Sequence, residues 1–518
     1  MSNRAEPIRS VKGTRDLLPP DTNLWQRVEA EAHRVLAAYH YGEIRTPILE
    51  ETALFARGVG AETDIVKKEM YSFEDHDVPH LAALRSEIRT HRPSIGSPDD
   101  FVVYLDRMRN FAAAFREAMG KGLVPKTPQN ERALDVLEQM PATLKGAYLE
   151  ANEVMFGLYV DHVDRALEDV LLGDSLTLRP EATASVVRAY IEHSLYNQGG
   201  VQKLYYIGPM FRRERPQKGR YRQFYQIGAE VLGSQNPLVD VEVIEMLVLF
   251  LERVGIREYQ LLVNSVGCAN CRPAYLKALQ MALQDVKATM CADCQRRADT
   301  NPLRVLDCKV EADQPIIERL PKIIDHLDPA CRQHFDRVTS ELVARGIAYQ
   351  LTPRLVRGLD YYTRTTFEIT SGALGAQNAV VGGGRYDGLS EMLGGPPTPG
   401  IGFSIGQDRL ILAVQAAAVL QPGSTLAAYV VWMGEATLAP ALRLVREMRA
   451  QGLSVEIDYD PMKIKKAMGV ANKLQARFAI IIGEGELASG KFQVKDMASG
   501  EQNELEPDAI EQYVKEKL

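Results

Sequence analysis

No apolar run in the 518-residue chain approaches the ~18 residues that a helix needs to cross a bilayer. The opening stretch, MSNRAEPIRS, lacks the apolar core of a secretory signal. Together these absences make a cytoplasmic location the expectation and leave the membrane out as a partner. An excess of positive charge is also missing. There are 61 Lys and Arg against 68 Asp and Glu, a net charge of -7, which excludes wholesale coating of nucleic acid but not a local basic site. Cysteine is scarce and confined: all six lie between Cys268 and Cys331. In a long chain of this kind, paired CxxC units indicate bound metal or free thiols rather than disulfides. Internal repeats and low-complexity tracts are absent. No glycine-rich stretch is followed by GK[ST], so there is no P-loop. What remains is an ordinary globular balance, 46% apolar and 25% charged, in a chain long enough for two to four domains.

Helical spacing marks residues 22–41, where Leu24, Val28, Ala32, Val35 and Leu36 recur on one face. A short strand is expected at Tyr71 to Glu74. Residues 77–172 then change character, with long helical patterns at Phe101 to Met119 and Ala133 to Leu171. With 15 acidic and 11 basic side chains, this segment has no basic face suited to nucleic acid. From Ser175 the pattern turns β-rich, in SLTLRPE, KLYYIGPMF and YRQFYQIGAEVLG, with a helix at Val239–Val254. YQLLVN at 259–264 reads as a strand, and helices are expected at Arg272–Lys287 and Asp328–Arg345. The run QPGST at 421–425 is a linker by composition. Beyond it, alternating β and α patterns predict a small α/β domain with a mainly parallel sheet.

The densest chemistry lies in Gly208 to Glu230, GPMFRRERPQKGRYRQFYQIGAE. Arg212, Arg213, Arg215, Lys218, Arg220 and Arg222 face only Glu214 and Glu230 in charge. A strand–loop–strand pattern holds arginines at the loop ends, and planar guanidinium forks suit phosphate oxygens. Phe224 can present a flat ring to the same cleft. A nucleotide or a nucleic-acid phosphate would fit, and so would a solvated basic hairpin. In LVRGLDYYTRTTFE (355–368), Arg357 with Tyr361 and Tyr362 suits an anion and a polar small ligand; a core strand with an Arg357–Asp360 ion pair fits as well. GIGFSIGQDRL (400–410) is not a dinucleotide fingerprint, because its last glycine falls one residue late. Arg409, at the start of a helical stretch, offers a further phosphate-binding cation. In LRPEAT (178–183), Glu181 could receive an amino group or simply cap a helix.

Cys268 and Cys271, then Cys291 and Cys294, form CxxC pairs with nineteen residues between them. Four thiolates at this spacing suit one tetrahedral zinc. The residues between the pairs read as one long helix, which would hold the pairs ~25 Å apart unless the chain folds back. Structural zinc and reduced thiols both remain open. Cys308 offers a substitute ligand, and Cys331 reads as a core thiol.

In this order the motifs carry a family pattern: the chain resembles a bacterial-type histidyl-tRNA synthetase, a class II aminoacyl-tRNA synthetase. VKGTRDLLP (11–19) is similar to that family's N-terminal signature and IRTPILE (44–50) to class II motif 1. FRRERPQKGRYRQF resembles motif 2 and GIGFSIGQDRL motif 3. LVRGLDYYTRTTFE and GGGRYDGL (382–389) resemble its two histidine motifs. The resemblance covers residue 9 to the C-terminus apart from 77–172.

It implies an α+β fold: a class II antiparallel sheet with flanking helices, helical insertions, and a C-terminal α/β anticodon-binding domain. The catalytic domain would comprise 1–76 and 173–420, the helical insertion 77–172, the cysteine-containing insertion 265–350, and the anticodon domain 425–518. Many relatives lack the cysteines in the second insertion, which lies near the acceptor stem. The resemblance implies a homodimer that joins L-histidine and ATP, with Mg²⁺, into histidyl-adenylate and passes the acyl group to tRNA-His. Arg212 would hold the α-phosphate and the histidine carboxylate, and Arg357 would add a second cation there. Glu214 would accept from the adenine amino group, Phe224 would stack on the ring, and Arg220 and Arg409 would bind the outer phosphates. Glu181, Ala182, Thr183, Gln226, Glu230, Tyr361 and Tyr362 would surround the histidine, Ala182 standing where the family commonly has glycine. Gln217 and Arg222 would lie near the tRNA acceptor end. The competing reading is a silent paralogue, the regulatory subunit of ATP phosphoribosyltransferase. That paralogue typically lacks an anticodon domain and loses motif residues, whereas both are present here.

Overall fold

The computed structural model describes residues 8–60, 63, 65–75, 78–217, 219–356, 359, 361–372, 379–417 and 426–518. Two compact units divide the chain, one of Met1–Asp16 with Val28–Val419 and one of Leu17–Arg27 with Leu420–Leu518.

In chain order the strands of the larger unit are β1 (Gly42–Glu43), β2 (Leu49–Glu51), β3 (Tyr71–Asp75), β4 (Asp174–Leu178), β5 (Gln202–Phe211), β6 (Gln223–Leu232), β7 (Gln260–Ser265), β8 (Gln350–Leu351), β9 (Thr363–Thr370), β10 (Ala379–Arg385) and β11 (Gly400–Gly406). Eight of them form one sheet in the order β1-β5-β6-β11-β10-β9-β7-β8. The six central strands pair antiparallel, and only the two-residue edge strands β1 and β8 pair parallel. β6 is buried from Gln226 to Leu232, on both faces. A strand covered on both sides loses the alternation that sequence patterning relies on.

Helices Pro237–Arg253 and Pro329–Ala344 pack against each other, and a buried charge network ties them to the sheet. Arg385 of β10 lies 2.6 Å from Asp240, which also meets His334 Nε2 at 2.8 Å. Burial alone would raise the Asp240 carboxyl, but His334 and Arg385 hold it below its usual range. Arg385 is therefore spent inside the fold and is not a phosphate ligand.

A second sheet, β2-β4-β3, stands beside the first. β3 and β4 pair antiparallel with Asp75 opposite Asp174, so the segment between them leaves and returns at one hairpin end. That segment holds four helices, Pro79–Thr90, Pro98–Gly120, Pro128–Leu149 and Glu153–Asp169. The helical pattern from Ala133 to Leu171 spans the last two, which are separate helices. They separate because Ala151 adopts φ +52° and Asn152 caps the next helix by accepting from Met155 N at 3.1 Å. The four helices bury one apolar cluster that includes Leu81, Met108, Phe111, Phe115, Leu137 and Val163. Spacing at three and four residues puts these side chains on facing helix stripes.

The smaller unit carries β12 (Ala428–Trp432), β13 (Val455–Ile457), β14 (Phe478–Ile482), β15 (Phe492–Asp496) and β16 (Gln502–Leu505), in the order β13-β12-β14-β15-β16. β12 pairs parallel with β13 and β14, while β14-β15-β16 run antiparallel. The sheet is thus mixed rather than mainly parallel. The link from β14 to β15 contains only the six-residue helix Glu484–Ser489. A parallel crossover needs a dozen residues or more, so the chain turns back antiparallel instead. Among the described residues, no helix is long and apolar enough to cross a membrane.

Candidate active site

One face of the large sheet forms a cleft lined by β5, β6, β9, β10 and β11, and by the loop joining β5 to β6. Of the residues singled out in the sequence, Glu181, Thr183, Arg212, Glu214, Arg220, Phe224, Gln226, Tyr361, Tyr362 and Arg409 all line it. Residues 170 to 220 positions apart in the chain meet here because β6 and β11 are sheet neighbours.

Two buried carboxylates mark the deep end: Glu181 lines the cleft, and Glu230 lies behind the lining, bonded to the lining residues Thr183 and Tyr386. Glu181 lies between β4 and helix Thr183–Glu192, and accepts Thr183 N at 2.7 Å and Ala184 N at 3.0 Å. It caps the helix and lines the cleft at once, so the two readings of LRPEAT are compatible. Ala182 is fully buried and presents no side-chain atom to the cleft. Glu230 on β6 accepts from Thr183 Oγ1 at 2.7 Å and from the Tyr386 hydroxyl at 2.5 Å. Burial pushes the Glu230 carboxyl up to about 8, against the opposing pull of its hydroxyl donors, and nearby Glu181 pushes it further up. Burial likewise raises Glu181, opposed by the two backbone N–H groups and by Arg212.

Gly402 is the cross-strand partner of Glu230. A Cβ at that position would stand 1.7 Å from Glu230 Oε2. The glycine therefore makes the space that the carboxylate occupies. Gln226 points a buried Oε1 that has no hydrogen-bond partner among the described residues. Tyr361 packs against Tyr362 and Tyr386, with ring centroids 4.8 Å and 5.7 Å apart, and walls this end.

The cationic part is built on the β5–β6 loop. Arg212 donates from Nε to the Pro180 carbonyl at 2.8 Å, which fixes it beside the carboxylate end. Its guanidinium lies 5.3 Å from the Phe224 ring centroid. Glu214 lies between two arginines, 3.7 Å from Arg212 and 3.2 Å from Arg220. Arg409 donates to the Ala379 carbonyl at 3.0 Å. Burial, then the neighbouring Arg220, lowers its pKa, so three guanidiniums converge on one region.

The motif 2 loop is held from outside by the N-terminal signature. Arg15 pairs with Asp408 at 2.7 Å and lies over the Tyr221 ring at 4.3 Å. Arg222 N donates to the Gly13 carbonyl at 2.7 Å, and its guanidinium donates to the Lys12 carbonyl at 3.1 Å. Gly13 has φ +93°, and a Cβ there would meet Arg222 and Pro216 at 2.8 Å. Arg222 is thus turned toward the N-terminal segment and not into the cleft. Gln217 exchanges two backbone hydrogen bonds with Arg220 at the loop tip, also outside the cleft. Arg357 lies outside the described residues.

Sequence reasoning missed Tyr206, Tyr221, Glu368, Tyr386, Gly402 and Asp408, all of which line the cleft. All but Tyr206 lie within the family motifs, in positions where neither charge nor spacing marks them. The roles of Tyr386 and Gly402 show only when the β6–β11 register is known.

The cysteines do not come together as four. Cys268, Cys271, Asp328 and Cys331 form one group, and Cys291, Cys294, Cys308 and Asp313 another, each with ligand atoms within 4.8 Å of one another. Helix Arg272–Val286 lies between the two CxxC pairs. At 1.5 Å per residue its 15 residues span about 22 Å, too far for one ion to bridge. Cys331 is a group member, not an isolated core thiol.

An antiparallel sheet carrying a carboxylate-floored, arginine-flanked cleft, joined to a separate α/β unit, is the build of a class II aminoacyl-tRNA synthetase. Comparison with known proteins specifies the family. The model of the family described as Histidyl-tRNA synthetase matches residues 161–410, and that of the Anticodon binding domain matches residues 427–517. A curated histidine–tRNA ligase of Solibacter usitatus is 50% identical over 97% of this chain and 98% of its own length. The solved apo histidyl-tRNA synthetase of S. aureus superposes with TM-score 0.67 at 32% identity, covering 98% of this chain and all of that one. The chain belongs to the histidyl-tRNA synthetase family. A Bacillus halodurans chain described as an ATP phosphoribosyltransferase regulatory subunit/histidyl-tRNA synthetase has TM-score 0.55 over 92% of this chain at 17% identity, a likeness of fold alone. Nothing in these comparisons favours the regulatory reading.

Proposed function

We propose that the cleft is where this histidine–tRNA ligase joins L-histidine to ATP, with the carboxylate end holding the amino acid and the arginine end holding the nucleotide. The observation that carries this is the occurrence together of buried Glu181, Glu230 and Gln226, whose Oε1 has no partner among the described residues, next to converging Arg212, Arg220 and Arg409.

Glu181 offers a fixed carboxylate for the α-amino group. Glu230, with Thr183, Tyr386 and Gln226, offers acceptors and donors for the imidazole. A pocket that must pair both ring nitrogens rejects apolar isosteres, because those would leave buried polar groups unmatched. Arg212 binds the histidine carboxylate and the α-phosphate, Phe224 stacks on adenine, and Glu214 accepts from its amino group. Arg220 and Arg409 hold the outer phosphates, and Arg357 adds a cation at the α-phosphate. A carboxylate oxygen of histidine attacks the α-phosphorus, the bond to the bridging oxygen breaks, and pyrophosphate leaves. The terminal ribose hydroxyl of tRNA-His then attacks the acyl carbon and AMP leaves. Positioned guanidiniums stabilise the charge that grows on the phosphoryl oxygens during the first step. Mg²⁺ supplies further neutralisation of the phosphates when bound. Glu368, a cleft carboxylate close enough to act on the charge of Arg409, fits a role as its protein ligand.

The smaller unit reads the anticodon, and Gln217 and Arg222 lie toward the acceptor end of the tRNA. A homodimer forms through the motif 1 sheet, where Ile48 and Leu49 remain exposed in one copy. The protein works in the cytoplasm. The cysteine-bearing segment binds structural zinc. The deciding experiment is ATP–pyrophosphate exchange with each of the twenty amino acids and Mg²⁺. Exchange with histidine alone is expected; no exchange from folded protein would overturn the reading.

A further inference from the structure

We infer that the segment between β7 and β8 holds two zinc ions, each in its own site of three cysteine thiolates and one aspartate. This rests on the zinc reading above and refines its number and ligands.

The two sites share a plan. In the first, Cys268 and Cys271 lie at the turn out of β7, Cys271 being the N-cap of helix Arg272–Val286. Asp328 is the N-cap of helix Pro329–Ala344, and Cys331 sits in that helix's first turn. In the second, Cys291 is the N-cap of helix Ala292–Thr300, with Cys294 in its first turn. Cys308 and Asp313 come from the irregular chain that follows.

Each carboxylate divides its work between backbone and thiols. Asp328 Oδ1 accepts Cys331 N at 2.7 Å, leaving Oδ2 at 3.2 Å from Cys268 Sγ and 3.5 Å from Cys271 Sγ. Asp313 accepts Cys291 N with both oxygens, Oδ1 at 3.1 Å and Oδ2 at 3.3 Å, and Oδ2 also lies 3.3 Å from Cys308 Sγ. Backbone amides also aim at sulfur: Cys268 N at Cys271 Sγ (3.2 Å), Asn270 N at Cys268 Sγ (3.4 Å) and Val310 N at Cys308 Sγ (3.4 Å). Such outer hydrogen bonds orient metal thiolates and offset their charge.

Distance selects the occupant. Cys268 and Cys271 sulfurs are 3.5 Å apart, and Cys291 and Cys308 sulfurs 3.9 Å. A disulfide requires about 2.05 Å. Bonds of about 2.3 Å to one tetrahedral ion set sulfur–sulfur edges of about 3.8 Å, as found here. An iron–sulfur cluster would spread its cysteine sulfurs wider than a single ion does. Three soft thiolates exclude Ca²⁺ and Mg²⁺ and suit zinc. The segment also needs staples. Apart from helices Arg272–Val286 and Pro329–Ala344 its elements are short, and Cys294 and Cys308 themselves belong to its small buried cluster around Tyr275, Leu279 and Leu283.

The test is metal content per chain of the full-length protein, by plasma mass spectrometry after equilibration with Zn²⁺ and removal of loosely held ions. Wild type should carry two zinc ions. The double variants Cys268→Ser/Cys271→Ser and Cys291→Ser/Cys294→Ser should each carry one. One ion per chain, lost in both variants, would overturn the two-site inference and leave the zinc reading standing; no zinc in wild type would overturn both. Should a variant fail to fold, Co²⁺ titration of metal-free wild type decides alone. Thiolate charge-transfer and tetrahedral d–d absorption should rise to an endpoint of two equivalents. An endpoint of one, or octahedral absorption, contradicts the inference.

Discussion

The cleft and the helical insertion differ in how much polarity they bury. In the insertion, the buried residues of the four helices are apolar or aromatic, apart from Asn130, and the buried polar atoms there with no hydrogen-bond partner among the described residues are the Tyr104 hydroxyl and Asp164 Oδ1. Asn130 is fully committed: its amide donates to the Pro125 and Leu171 carbonyls at 2.7 Å, and its oxygen accepts Leu171 N at 2.8 Å. Around the cleft, Glu181, Thr183, Gln226 and Glu230 are all buried, two of them carboxylates that both accept from Thr183, and Gln226 Oε1 has no hydrogen-bond partner among the described residues. Burying such groups is costly unless something pairs with them. The insertion therefore reads as a self-sufficient folded module, and the cleft as a site whose pairing is completed by a ligand.

Replacing Glu181 tests the cleft side most severely. Glu181→Ala should lower histidine-dependent pyrophosphate exchange by about 100-fold or more, the loss of a charge-assisted contact in a dry site. Activity within threefold of wild type would show that Glu181 is only a helix cap. Arg409→Ala should cost about 10- to 100-fold, expressed mainly in the KM for ATP with little change in the KM for histidine. A change confined to histidine would remove Arg409 from the phosphate end.

Stability against pH sharpens the contrast further. The Glu230 carboxyl titrates at about 8 in the fold against an ordinary 4.5. Between those values the folded state holds more protons than the unfolded chain, so stability falls as pH rises and the loss is complete above about 8. Melting temperatures from pH 5 to 9 should decline in wild type and less steeply in Glu230→Gln, where the raised Glu181 carboxyl remains. An equal slope in both would place the titration elsewhere.

The smallest effect is expected from the insertion itself. Joining β3 to β4 by a short turn in place of residues 77–172 should leave histidine-dependent exchange within about threefold, because the helices bury their own core. Complete loss of exchange from a folded, insertion-free protein would mean that the insertion shapes the cleft.

Much of this was legible in the sequence, for physical reasons that differ by region. Arginines at the ends of a strand–loop–strand pattern, with Phe224 beside them, gave the cationic half of the cleft, since loop-end spacing survives without knowledge of strand order. Glu181 and Thr183 stood at a strand-to-helix junction whose geometry is local. Tyr386 and Gly402 were not legible as site residues, because both depend on the pairing of Gly402 with Glu230 across two strands. The cysteines misled for the same reason. Spacing along the chain suggested one four-cysteine site, the helix expected between the pairs argued against it and is present, and Asp328 and Asp313 come from positions that no CxxC spacing marks. The mixed sheet of the smaller unit was hidden too, because alternating β and α segments do not reveal how short the β14–β15 link is.

The central claim is that Glu230, in the space left by Gly402, recognises histidine. Calorimetric binding of L-histidine and of ATP to wild type and Gly402→Ala tests it most directly, since a Cβ there would stand 1.7 Å from Glu230 Oε2. The account predicts histidine binding weakened by about tenfold or more, with ATP binding unchanged. Unchanged histidine affinity in the folded variant would contradict it.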